Sequence, residues 1–494
     1  MSKSVFRVRA LVVAIAATLL LAGLPSAAHA AEPAPPQPVI AANYGTTCAV
    51  RENQRVYCWG DNSEGQLGRG HYDPSLAVRP VGDGLEALAV AGGGQTFCAL
   101  KTNHTVACWG RGDTGRLGNG SSFGSYLPVA VTSLTNVAAL DVGPGRACVA
   151  KQDGTVWCWG ADLGANFPGS SSGDHTTPVQ IAGLSSVIGV AVGDGSTCAL
   201  KIDHTVWCWG MNWAFSAGAP LGVHYTPTKI SGLTDATQIS MGDAVSCALR
   251  ATGGVACWGD NNYGGLGAAY SGSNSGTPLQ VWRLTGAKEL AVGALTSCAR
   301  TVTVVKCWGL GGYGALGDGQ GDDTRAPVTA TAGLSDPTSV AVGESQACEI
   351  ASGGRVWCWG MNIWGEAGDG TTDPAYDGTG PWDDFGIAAD REVIPLLNRA
   401  PGTPAGSSLY VSKIKISWAA PSTTNGTSAP KDYTIQYRLK GTTTWKTFSD
   451  PVTATRTATV TGLSSGKYYQ FRVLPKNWAG TGTPSATSLY IKSK

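Results

Sequence analysis

The sequence predicts an all-β chain, a seven-bladed β-propeller followed by a smaller β-sandwich, and three observations predict it. A unit of about fifty residues recurs seven times, its first cysteines at Cys48, Cys98, Cys148, Cys198, Cys247, Cys298 and Cys348. Each copy carries a second cysteine followed by Trp-Gly, as in "CALKIDHTVWCWG" from Cys198 to Gly210. Strand patterns fill the repeats with no helical periodicity, and a strand repeat of this length reads as propeller blades, sheets that cannot bury both faces alone.

In chain order, the first element is not part of the fold. Lys3, Arg7 and Arg9 precede the apolar run "LVVAIAATLLLAGL" and the small-residue site "AHA" at Ala28 to Ala30, so residues 1–30 read as a cleaved secretory signal peptide. The run is about fourteen residues, shorter than the roughly 20 a spanning helix needs, so no membrane span is expected. An extracellular, released protein follows.

Export bears on the 14 cysteines, because cysteines in an oxidising compartment are expected to pair. If Cys198 faces Cys208, then Ala199 faces Trp207, Leu200 faces Val206 and Lys201 faces Thr205, leaving the loop Ile202-Asp203-His204. Three-residue hairpin loops end in a residue of positive φ, which glycine adopts most cheaply. The same count puts Gly154, Gly253 and Gly354 there in other copies, and His104 in one more. The Cys-Cys pair is then non-hydrogen-bonded, with Cα atoms about 4.5 Å apart, within disulfide range. Seven links are expected: Cys48–Cys58, Cys98–Cys108, Cys148–Cys158, Cys198–Cys208, Cys247–Cys257, Cys298–Cys307 and Cys348–Cys358. Zinc is the alternative, but it usually takes shorter ligand spacings and four ligands together. His104 and His204 read as turn residues rather than catalytic ones.

Around each hairpin lies a longer unit. A proline enters a β-branched strand about twenty residues upstream ("LPVAV" at Pro128, "TPVQI" at Pro178, "TPLQV" at Pro278), and a strand ending in glycine follows ("VIGVAVG", "AKELAVG"). Counted this way, the first unit lacks its leading strand. "REVIPLL" at 391–397 is left over after the seventh hairpin, and the expectation is that it completes the first blade and closes the ring. The propeller is thus placed at 38–397, a linker at 398–405 and a second domain at 406–494.

Hairpins ending in Trp-Gly and followed by "DNSEGQLGRG", "RGDTGRLGNG" or "LGGYGALGDG" resemble the repeats of the regulator of chromosome condensation family, a seven-bladed propeller, and the paired cysteines look like its exported bacterial variant. In the second domain, "KIKISWAAP" puts Ile414, Ile416 and Trp418 on one face of a strand. "TVTGLSSGKYYQFRVLPKNWAG" resembles the end of a fibronectin type III sandwich, which implies that Tyr469 is its tyrosine corner, with Leu463, Phe471 and Val473 in the core. Pro475 departs from that pattern.

The net charge of +1 and the charged fraction of 14% give no basic field, so nucleic acid is not an expected partner. No triad motif, phosphate loop or metal pattern occurs at a specific spacing, and neither catalytic residues nor a cofactor are expected. Binding candidates come from departures from the repeat. Blades three and four replace the "GQLG" turn with "GADLGANFPGSSSGDH" and "GMNWAFSAGAPLGVHY", offering Phe167, Trp213 and Phe215. The insertion "GTTDPAYDGTGPWDDFGIAAD" offers Trp382 among Asp373, Asp377, Asp383 and Asp384, without the alternation of a calcium loop. The carboxylates of "DGQGDDT" from Asp318 read as surface groups.

The expectation is a monomeric, non-enzymatic binding protein that recognises an extracellular protein, a cell surface or a polysaccharide. The alternative is an enzyme or accessory acting on polysaccharide, since fibronectin type III modules accompany exported glycoside hydrolases. The family resemblance includes a nucleotide exchange factor for a small GTPase and a secreted inhibitor of β-lactamases. Exchange is the less favoured reading, because an exported chain does not meet cytosolic GTPases.

Overall fold

The cysteine spacing sets the sheets. In the computed structural model each first cysteine faces its second across adjacent strands, and all seven pairs are disulfides with Cα atoms 4.0 to 4.1 Å apart. The hairpin register is the expected one: Ala199 faces Trp207 and Leu200 faces Val206, and the Lys201 amide donates to the Thr205 carbonyl at 3.0 Å. The last loop residues take positive φ, His104 at 59°, His204 at 61°, Gly154 at 78°, Gly253 at 77° and Gly354 at 75°. The described residues are 39–368 except 52, 164–165, 213, 219, 331–335 and 353, then 372, 391–392, and 403–494 except 411, 420–431, 449–454, 478–479 and 482–483. Residues 1–30, expected to be a signal peptide, therefore lie outside them.

Seven four-stranded antiparallel sheets form among these residues. The first comprises Ile40–Asn43, Thr46–Val50, Val56–Gly60 and Ser75–Pro80. Six more innermost strands (Ala87–Gly93, Val137–Val142, Val187–Val192, Ala236–Met241, Glu289–Val292 and Pro337–Val342) join Ile40–Asn43 around one central cavity of about 160 Å³. Among the described residues, helix is confined to two single turns, Asp113–Gly115 and Gly312–Gly314.

The order of strands within a blade corrects the expected unit. Each proline-led strand pairs with the hairpin before it, as Ser125–Ala130 does with Val106–Gly110, not with the one after. The first blade is therefore complete by Pro80. Arg391–Glu392 pairs with Arg355–Gly360, placing Glu392 opposite Trp357 as the outer edge of the seventh blade. The physical reason is proximity along the chain: an antiparallel partner is most readily supplied by the next strand, whereas the expected assignment needed a crossover to the neighbouring blade.

Two devices bind blade to blade. The Trp after each second cysteine is at most 2% exposed, and its indole N–H donates to a backbone carbonyl in the turn of the preceding blade. Six of these bonds run Trp109 to Gln66, Trp159 to Arg116, Trp209 to Asn166, Trp258 to Ser216, Trp308 to Gly265 and Trp359 to Ala315, at 2.7 to 3.0 Å. The seventh, Trp59 to Glu366 at 2.8 Å, joins the first blade to the last and closes the ring. Thr47 Oγ1 adds a bond of 3.1 Å to the same carbonyl. A burial of this kind leaves little tolerance for an unpaired carbonyl, so each bond contributes about 1 kcal/mol net. The second device is the glycine ending the innermost strand: a Cβ on Gly143 would come within 2.7 Å of Val192 Cγ1, so neighbouring blades approach too closely for a side chain there.

The second domain is a sandwich. Ala405–Tyr410, Lys413–Ser417 and Thr457–Val460 form one sheet, and Lys446–Phe448, Asp432–Leu439, Tyr468–Asn477 and Gly480–Thr481 form the other, with Ile491–Lys492 beside Tyr468–Asn477. Ile414, Ile416, Phe471 and Val473 are fully buried, and Trp418 and Leu463 nearly so. The Tyr469 hydroxyl accepts from the Ser464 amide at 2.9 Å, holding the corner as expected. Pro475 does not interrupt pairing: it lies opposite Tyr433 with no register shift.

Candidate functional site

Two of the departures from the repeat lie among the described residues. Phe167 is 4% exposed, packed in the core between blades three and four with its ring against the edge of His175 at 4.5 Å. It occupies the position of Leu67, Leu117, Leu266 and Leu316, all fully buried in their turns. The expected rim exposure is therefore wrong for Phe167, because the altered turn still needs an apolar plug. Phe215 is half-buried and adopts φ 64°, where other blades have Gly65, Gly115, Gly264, Gly314 and Gly365 at 74° to 82°. Its carbonyl accepts from Gly218 at 2.8 Å, as Gly65 does from Gly68, so blade four keeps the turn geometry while losing its glycine. Trp213, Trp382 and the four aspartates around Trp382 lie outside the described residues.

His104 and His204 are turn residues here as well, with Nδ1 at 2.9 Å from the carbonyls of Val137 and Ala236; a carbonyl only accepts, so that nitrogen carries the proton. In "DGQGDDT", Asp318 and Asp323 accept from the amides of Gln320 and Gly311 at 3.0 and 2.9 Å, bracing their own loop. No cluster of His, Cys, Asp and Glu suited to a metal occurs among the described residues.

A different surface emerges at one end of the ring. The residue after each Trp-Gly donates its amide to the turn between the first and second strands of its blade, as Asp61 does to Gly45 and Met361 to Ser345. This brings the Trp-Gly loops to the same end as one mouth of the central channel, where a cavity of about 170 Å³ is bordered by Asn43, Tyr44, Asp243 and Glu344. Burial, reinforced by the negative charges of Asp194 and Glu344, pushes the Asp243 carboxyl up to about 6. Burial also raises Glu344. Beneath the rim, Arg146 is buried and donates to the carbonyls of Asp194, Gly193 and Ser196 at 2.8 to 3.0 Å, tying blade three to blade four. Deeper in the channel, burial pushes Asp141 up to about 7, against the pull of the Val192 and Val142 amides.

The Trp-Gly loops at this end carry exposed aromatic rings. Tyr263, Tyr313 and Trp364 each precede the turn glycine in blades five, six and seven, and they are 43%, 38% and 45% exposed. Tyr44, 51% exposed, continues the arc onto blade one, where the Gly45 turn lies against the Trp364 ring. Sequence reasoning passed these over because they sit inside intact repeats. Aligning the residue before each turn glycine would have found them, since it reads Glu64, Thr114, Tyr263, Tyr313 and Trp364 in the five blades that keep the glycine. Exposed rings of this kind can stack on flat apolar surfaces and bind hydroxyl or cationic groups.

The regulator of chromosome condensation (RCC1) repeat matches residues 40–66, 187–212 and 236–264, and the fibronectin type III domain matches 400–489. Among solved structures, Prp20p of Saccharomyces cerevisiae is similar at 19% identity and a TM-score of 0.58, covering 65% of this chain and 83% of that one. Human WBSCR16 is similar at 19% identity and a TM-score of 0.56, covering 64% and 92%. The juxtamembrane domain-associated catenin of Caenorhabditis elegans is 30% identical over 89 residues, and protein turtle of Drosophila melanogaster 35% over 74. The chain spans 7% and 5% of the lengths of these two. RCC1 repeats and a fibronectin type III domain are thus present, and the solved neighbours share the propeller fold.

Proposed function

We propose that the protein is a secreted, non-enzymatic binding protein that engages an extracellular protein or glycan through the end of the propeller bearing the channel mouth. The observation that supports this reading is the series of Tyr263, Tyr313, Trp364 and Tyr44, four exposed rings on four consecutive blades, on the loops at the end of the ring where Asp243 and Glu344 border the channel mouth. Exposed tyrosine and tryptophan in such numbers cost solubility and supply most of the affinity of protein interfaces when covered. The description of the Prp20p structure concerns its binding to Gsp1p and histones, which supports protein recognition as one use of the fold.

The test begins with partners captured from culture medium by the wild-type protein and with a glycan array, with sugar release followed in parallel. Tyr313→Ala combined with Trp364→Ala should weaken the captured interaction at least tenfold, with the melting temperature within about 2 °C because the rings are half exposed. Undiminished binding in that variant refutes the surface. Sugar release that disappears on replacing one channel carboxylate refutes the non-enzymatic reading.

A further inference from the structure

The whole-chain charge of +1 conceals a division. Residues 401–494 contain twelve Lys and Arg against two Asp and no Glu, a formal charge of +10, whereas residues 1–400 contain 23 basic against 32 acidic residues, a charge of −9. The composition of the entire chain averages this away. The basic charge of the sandwich is also organised. On the sheet built from Asp432–Leu439 and Tyr468–Asn477, alternate residues point outward, and those outward positions include Arg438, Lys440, Tyr468 and Arg472. Tyr468 faces Lys492 on the neighbouring strand.

These cations are fixed by aromatic rings. The guanidinium carbons of Arg438 and Arg472 lie 4.6 and 4.5 Å from the Trp445 ring centre. The Lys440 ammonium sits 5.6 Å from Tyr468 and 5.3 Å from Tyr490, and that of Lys492 5.9 Å from Tyr468. Arg438 and Arg472 donate to the amide oxygens of Gln470 and Gln436, neutral acceptors that leave their charge uncompensated. Lys440 and Lys492 are exposed. Like charges on one face repel one another, and an anion covering the face relieves that repulsion.

We infer that this face of the fibronectin type III domain binds an anionic polysaccharide, a linear sugar polymer bearing carboxylate or sulfate groups. The ring geometry chooses it over single-stranded nucleic acid. Affinity for single strands draws on open aromatic faces that stack on bases, whereas Trp445, Tyr468 and Tyr490 already carry cations. Guanidinium pairs suit carboxylate and sulfate oxygens by bidentate hydrogen bonding, and the ammonium groups add point charges along a flat sheet. The inference does not rest on the propeller reading, and the two surfaces are tested by different substitutions.

The experiment uses the full chain and measures affinity for polygalacturonate oligosaccharides and a heparin decasaccharide, with neutral dextran and single-stranded DNA as comparisons, from 0.05 to 0.3 M salt. Both anionic sugars should bind and dextran should not, with affinity falling steeply as salt rises. Lys440→Gln with Lys492→Gln should weaken binding about fivefold or more and flatten the salt dependence. Lys413→Gln with Lys415→Gln removes the same charge from exposed positions on the other sheet and should change little. Equal losses in the two double variants would show that net charge alone acts, overturning the site. Tighter binding of DNA than of either sugar would overturn the choice of polymer. Tyr313→Ala with Trp364→Ala should leave sugar binding intact, which separates failure here from failure of the propeller surface.

Discussion

Glu366 supplies the carbonyl that receives the closing Trp59 indole, and its own side chain is fully buried. One carboxylate oxygen accepts from the Trp364 amide at 2.7 Å and the other has no hydrogen-bond partner. Burial therefore dominates and pushes the carboxyl up to about 7 from 4.5. Between those values the folded state holds a proton that the unfolded chain has released, so stability falls as pH rises through that window. Glu366→Gln should lose less stability than the wild type between pH 5 and pH 8, by up to about 3 kcal/mol, as read from denaturant midpoints at the two pH values. An unchanged pH dependence would show that the carboxyl is not held neutral. At this scale the sequence was legible for the cysteines and turn histidines, whose neighbours along the chain determine their conformation. It was illegible for Phe167 and for the aromatic arc. Whether a ring plugs a core or faces solvent depends on a neighbouring blade about fifty residues away, and no local pattern records that.

Each hairpin closes a covalent loop of about eleven residues, and the loop-entropy relation puts its stabilisation at roughly 2.8 kcal/mol at most. Cys98→Ala with Cys108→Ala should lower stability by no more than that and leave the ring folded, because Trp109 still bonds to Gln66 and the sheet ladder remains. Global unfolding of this variant at 25 °C would show that the staple does more than restrict the unfolded chain. The elements themselves could be read from alternation and turn chemistry, and every hairpin register followed. Their grouping into sheets could not. A repeat has no intrinsic beginning, so the proline-led strand fits equally well before or after its hairpin, and only the ladder between Ser125–Ala130 and Val106–Gly110 decides.

Across the whole molecule, the propeller and the sandwich were distinguishable from composition, yet the opposite charges of the two parts cancelled in the total. The arrangement of covalent bonds has a mechanical consequence. All seven disulfides lie within single blades, so consecutive blades share only the backbone between them, and the join between first and last has no disulfide and is carried by apolar packing and by hydrogen bonds of Trp59, Thr47 and Gln346. Pulling on the two ends of the chain should rupture this seam first and peel blades away singly, while each staple keeps its hairpin loop slack and out of the load path. Adding a reductant should then lengthen the fully stretched chain by an amount on the order of 200 Å, given about 3.4 Å per residue for the segments the seven staples withhold. Single-molecule stretching with and without reductant reads that length directly, and an unchanged extension would mean the staples are absent from the protein as purified.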